Sequence, residues 1–117
     1  MMLRVSAMER DRFTELIGSA PTNFLVMDFS PSEDHEAIRE GVQRVCSQFP
    51  DEYWREKDDQ HEFPWDFYEA MAEGGWIGIA IPEEFGGGGQ GITEASIVLE
   101  EVAASGAAMN GCSAIHL

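Results

Sequence analysis

The sequence predicts an all-α domain of about five helices, with one short extended segment and a glycine-rich loop. Three observations point there. Apolar residues recur at helical spacing in several windows. Proline and glycine stand where those windows begin and end. A single short window alternates with period two.

Taken in order, Met8 to Ile17 reads as one short helix with Phe13, Leu16 and Ile17 on one side, stopped by Gly18. A loop follows to Asn23, then Phe24, Leu25 and Val26. At Ser30-Pro31-Ser32-Glu33 three helix-start signals coincide: Ser30 as cap, Pro31 at the first helical position and Glu33 as the carboxylate of a capping box. Ile38, Val42, Val45, Cys46 and Phe49 then form one face, and Pro50 ends the helix. Asp51 to Gln60 is a polar helix or turn anchored by Tyr53 and Trp54. Phe63-Pro64 opens a third helix whose buried face is expected at Tyr68, Met71 and Ala72, closed by Gly74-Gly75. Ile77, Ile79 and Ile81 alternate with Gly78 and Ala80, which reads as extended. Phe85 to Gly91 is the glycine-rich loop. A fourth helix runs from Ile92 or Thr93 to about Ala104, with Ile92, Ala95, Leu99 and Val102 on one side and Glu100 and Glu101 facing out or capping a neighbour. Ser105-Gly106 breaks it, and a fifth helix begins near Ala107. That helix reaches Ile115-His116-Leu117 without a stop signal, which reads as a chain interrupted.

Among 117 residues, 44% apolar, there are 22 acidic and 7 basic side chains, a formal charge of −15. Such a surface repels phosphate backbones and anionic lipid heads, so nucleic acid is not an expected partner. No apolar run is long enough to span a membrane. Glu9, Asp11 and Glu15 argue against a leader or transit peptide, and the free thiols Cys46 and Cys112 fit a reducing compartment; a cytoplasmic location is expected. His35, His61 and His116 are scattered, so no metal site is expected.

Gly86, Gly88 and Gly91 match G-x-G-x-x-G. Such a loop lets backbone N–H groups approach a pyrophosphate. Against that, Pro82 to Phe85 separates the extended segment from the glycines, and Glu83 and Glu84 would face the phosphates. The plainer expectation is a chain reversal at positive φ. The pairs Glu83-Glu84 and Glu100-Glu101 are adjacent, so neither forms an opposed acid and base. Ser113 lacks a glycine elbow. Trp54, Trp65, Phe67, Tyr68 and Trp76 are expected in the core.

The order MDFSPSEDHEAIREGVQRV, FPWDFYEAMAEGGWIGIAIPEEFGGGGQG, ITEASIVLEEVAASGAAMNGCSAIHL resembles the N-terminal helical domain of acyl-CoA dehydrogenases across residues 27–117, most specifically at Pro82 to Gly87. The resemblance implies a larger FAD-dependent enzyme that removes two hydrogens from the α and β carbons of an acyl-CoA thioester. In that plan a glutamate takes the α-proton, the flavin N5 accepts hydride, and an electron-transfer flavoprotein takes the electrons. It also implies a homo-oligomer. The catalytic glutamate and main flavin motifs of the family lie beyond this stretch, so no catalytic or FAD-binding residue is expected here, and the chain reads as an inactive, C-terminally incomplete fragment. By ungapped placement after Glu100-Glu101, the resemblance puts Asn110, Gly111 and Ala114 on the acyl-chain side of the fifth helix. It further implies that Ile92, Leu99, Val102, Met109, Ile115 and Leu117 lie partly in water in this chain. An acyl-CoA oxidase fragment and a small non-catalytic interaction protein are the alternatives.

Met27-Asp28-Phe29 resembles the family's own opening, so residues 1–26 are expected to be an extension outside the domain, with Met27 as initiator. N-terminal sequencing of the natively expressed product should then read from Met27. A product starting at Met1 and shielded from protease through residue 26 would overturn that expectation.

Overall fold

The computed structural model describes residues 28–115, and no strand occurs among them. The expectations for Met8–Ile17, His116 and Leu117 lie outside the described residues. From Pro31 onward the chain forms one compact unit built of helices α1 (Glu33–Cys46), α2 (Asp51–Gln60), α3 (Trp65–Glu73), α4 (Ile92–Val102) and α5 (Ala108–Ile115).

The start of α1 differs from the expectation. Ser32, not Ser30, caps it: its Oγ accepts from the His35 N–H at 3.2 Å, and His35 Nδ1 accepts from the Ser32 N–H at 3.3 Å. The box is thus closed by an imidazole rather than by Glu33. Ser30 lies before the helix, with its N–H donated to Asp28 Oδ1 at 2.9 Å. The α1 face holds: Val42, Cys46 and Phe49 are buried, and Ile38 and Val45 are half-buried.

On α3 the buried pair is Phe67 and Met71; Tyr68 is half-buried and Ala72 exposed, correcting the expected face. The reason is tertiary. The Phe67 ring meets Phe49 and Trp54 edge-on, with centroids 5.5 and 4.9 Å apart. Its backbone N–H donates to Tyr53 Oη at 3.4 Å. This aromatic cluster from α2 and the end of α1 sets the rotation of α3.

The segment Ile77–Ile81 is a run of turns, not an extended strand. The Ile81 N–H bonds to the Gly78 carbonyl at 3.1 Å, coiling the segment on itself. Before it, the Trp76 indole lies over Gly41 of α1 and over Gly74, where a Cβ at either glycine would sit 2.5 Å from the ring.

Helix α4 buries Ile97, Val98 and Val102, whereas Ile92 is 82% exposed; the expected side was Ile92, Ala95, Leu99 and Val102. Of the apolar residues expected partly in water, Ile92 and Met109 are exposed, Leu99 is half-buried, and Val102 and Ile115 are buried in the domain's own core. After α4, residues Ala103–Ala107 form a π-helical turn in which Gly106 takes φ 98°, as the Ser105-Gly106 break anticipates, and α5 follows.

Two polar clasps join α1 to α4. His35 Nδ1 is an acceptor, so Nε2 carries the proton and donates to Glu94 Oε1 at 3.1 Å. The other Glu94 oxygen accepts from the Gly91 N–H at 2.9 Å, capping α4. One turn further along, Arg39 pairs with Glu101 at 2.6 Å and Glu100 at 3.1 Å, and Gln43 donates to Glu101 at 2.8 Å.

The Gln43 amide, and then Arg39, hold the Glu101 carboxyl below its ordinary value of 4.5. A carboxyl depressed in the folded state stabilises fully above its unfolded value and loses that contribution as pH falls through the folded one. Acid unfolding followed by circular dichroism should therefore show part of its pH dependence below 4.5 removed in Glu101→Gln. An unchanged acid limb would mean that the clasp contributes nothing.

Candidate functional site

Above the core, the turn segment and α4 enclose an apolar cleft of about 280 Å³. Trp76, Ile77 and Ile79 form one wall, Ala95 and Leu99 the other, and Ile115 of α5 closes one side. Ile92, Ala95 and Leu99, three of the four residues expected on one side of this helix, line this cleft, and Ala95 and Leu99 also pack against the core. Their helical spacing identified the stripe correctly, and tertiary packing decides which apolar surface it meets.

The cleft has no group able to move a proton. Its one polar side chain, Ser96, donates to the Thr93 carbonyl at 2.7 Å. The acids of α4 are drawn to its other side by His35, Arg39 and Gln43. Burial pushes the Cys46 and Cys112 thiols above their ordinary value, away from nucleophilic use. No cluster of three His, Cys, Asp or Glu side chains able to hold a metal occurs among the described residues. At the low end of the usual ligand-pocket range of roughly 300–1,000 Å³, such a cleft suits a single apolar group.

The glycine-rich loop is occupied with its own chain. Gly86 and Gly89 take φ 84° and 67°, reversing the backbone. The amides of Gly86 and Gly87 donate to Glu83 and Pro82, and those of Gly88, Gly89 and Gln90 donate to the carbonyls of Gly78, Ile81 and Ile79. Gly91 donates to Glu94. Every amide from Gly86 to Gly91 is thus engaged, leaving none to cradle a pyrophosphate. The loop's own amides therefore do not form the pyrophosphate cradle that the motif imitates.

The three substrate-side expectations fall on α5. Asn110 donates to Asp58 Oδ1 of α2 at 3.2 Å. Gly111 is buried where a Cβ would meet Ala107, Val102 and Trp54. Ala114 is half-buried against the core. None of the three lines the cleft; their neighbour Ile115 does.

With this architecture in view, the comparisons with known proteins give the family. The model described as acyl-CoA dehydrogenase, N-terminal domain, matches residues 32–117, and the chain belongs to that oxidoreductase family. It is 37% identical over 81 residues to acyl-CoA dehydrogenase FadE12 of Mycobacterium tuberculosis H37Rv, covering 69% of this chain and 21% of that protein. It is 34% identical over 82 residues to the probable acyl-CoA dehydrogenase YdiO of Escherichia coli K12, with the same coverage of 69% and 21%. It is also 34% identical over 91 residues to acryloyl-CoA reductase (NADH) of Anaerotignum propionicum, covering 78% of this chain and 23% of that protein. The chain thus spans about a fifth of the length of these relatives. No solved structure matches it significantly. No helix among the described residues is long and apolar enough to cross a membrane.

The cleft should take up an apolar fluorescent dye. Ala95→Phe, which fills it, should weaken uptake by about tenfold, the effect of removing one good apolar contact, whereas Ser96→Ala should leave it unchanged. Equal dye binding in Ala95→Phe would place the dye elsewhere.

Proposed function

We propose that this chain is the N-terminal helical domain of an FAD-dependent acyl-CoA dehydrogenase, in which it supplies apolar wall and packing surface while other parts of a longer protein supply the base and hold the flavin. The observation that carries this reading is the family match over residues 32–117 combined with a cleft that holds no proton-moving group. The work of such a domain is orientation and exclusion of water around an acyl thioester, which raises rates by holding reactants in geometry. In this reading FAD is bound outside the described residues, since the glycine loop's amides are already engaged.

Helix α5 forms part of the acyl-chain wall in this proposal, with Asn110, Gly111 and Ala114 as its contributions. The Asn110–Asp58 bond fixes the helix against α2, and Gly111 lets it pack closely against Ala107 and Val102. Residues 1–26 stand outside the domain, and the electron acceptor and oligomeric partner belong to the longer protein. A second reading, saturation of an acrylyl-type thioester, is favoured by the similarity to acryloyl-CoA reductase. Both act on the same pair of carbons, and the direction follows from the electron partner.

The test begins with the coding DNA after Leu117. The product of the complete reading frame should carry FAD and bleach it with an acyl-CoA from a chain-length panel. Residues 1–117 alone should hold no stoichiometric flavin. Bleaching by 1–117 alone would overturn the division of labour, and oxidation of NADH by an acrylyl thioester would favour the reductase reading. Within the complete protein, Ala114→Leu should lower kcat/KM for the longest substrates by about tenfold and spare the shortest. A uniform loss would remove α5 from the wall.

A further inference from the structure

Trp65 belongs to the aromatics expected in the core, yet it is 61% exposed, and its neighbour Phe63 is 42% exposed. Phe63 stacks tilted on Trp65 at 4.5 Å between centroids, and Tyr68 lies 5.9 and 6.0 Å from the two. The three rings pack on one another rather than around a void. They form an open platform, not a cage for a small quaternary ammonium.

The platform has a charge of definite sign beside it. Phe63, Trp65, Lys57, Glu62 and Asp66 line one surface depression. The Lys57 ammonium is held by Glu62 at 3.1 Å and lies 5.5 Å from the Tyr53 ring centroid, so its charge is answered locally. Asp66 has no ion-pair partner among the described residues, and Glu69 stands exposed one turn on. No lysine or arginine follows Lys57 in the whole sequence, so the chain offers this face no cation from its second half.

We propose that the Phe63–Trp65–Tyr68 platform, with Asp66 at its edge, is a docking surface for an arginine-bearing polypeptide segment. A guanidinium is planar, is weakly hydrated and stacks on an indole while its N–H groups reach a carboxylate. An anionic partner, whether lipid head or nucleic acid, meets repulsion at the same place. The reading is independent of the proposed dehydrogenase role.

The probe is a short synthetic peptide of alternating leucine and arginine, titrated into the isotope-labelled full chain and followed by NMR. A control peptide carries citrulline, which keeps the shape and removes the charge. Saturable shifts are expected at the Trp65 indole N–H and across 62–69. The citrulline peptide, and separately Trp65→Ala, should each weaken binding by about tenfold, as loss of a central anchor does. Asp66→Asn should weaken it several-fold and flatten its salt dependence. Both side chains are exposed, and unchanged signals from the core around Val102 check that the variants fold. Equal binding of the citrulline peptide would overturn the charge assignment. Shifts spread evenly over the acidic first turn of α1 would reduce the effect to net charge. Concentration-dependent shifts at Trp65 and the chain's own Arg55 without peptide would make the occupant a second copy and overturn the proposal.

Discussion

The pairing of α1 with α4 is the constraint on which the rest of the domain depends. These helices come from opposite halves of the described chain and share its most extensive helix contact. Val42 of α1 and Val98 and Val102 of α4 meet in one buried cluster. Apolar burial supplies the non-directional attraction, worth ~1.5–3 kcal/mol for each fully buried side chain of this size. Direction comes from the polar clasps. Arg39 and Gln43 fix Glu101 near the C-terminal end of α4, while His35 fixes Glu94 at its N-terminal end. With both ends tied, α4 cannot rotate, and its remaining stripe of Ile92, Ala95 and Leu99 is left to line the cleft.

The other half of the core is aromatic and holds the shorter helices. Phe49, Trp54 and Phe67 meet edge to face, an arrangement that adds about 0.5–1.5 kcal/mol per pair beyond burial. Ala107, and after it Val102, set the demand for glycine at position 111, because a Cβ there would run into the Ala107 side chain and crowd Val102, while the Trp54 indole beside them lies at ordinary contact distance. A residue placed on the substrate side by resemblance is thus held by packing, and any effect of α5 on an acyl chain depends on this contact. The division between chemistry and support follows. Carboxylates near the cleft are committed to helix caps and clasps, which leaves the cleft an apolar surface.

Much of the architecture is legible in order and spacing. The α1 stripe of Val42, Cys46 and Phe49, the glycine reversal and the Ser105-Gly106 break each follow from local rules. The errors share a cause. Ser30 and Ser32 both offer a capping hydroxyl, and Ser32 is the one whose box is closed by His35, a residue that also reaches Glu94 across the domain. Ile77 to Ile81 alternates like a strand, but no strand occurs among the described residues to pair with it, and loop amides take its carbonyls instead.

The sequence by itself determined the helical class, the family and the places where helices stop, because periodicity, prolines and glycines act within a few residues. Only the tertiary structure decided which apolar stripe meets the core, which meets a cleft and which aromatic stays in water. Helical spacing specifies a face and not its neighbour. Trp65 and Phe67 lie two positions apart and are chemically alike, yet one is exposed and the other buried, because Phe49 and Trp54 occupy the side that Phe67 meets.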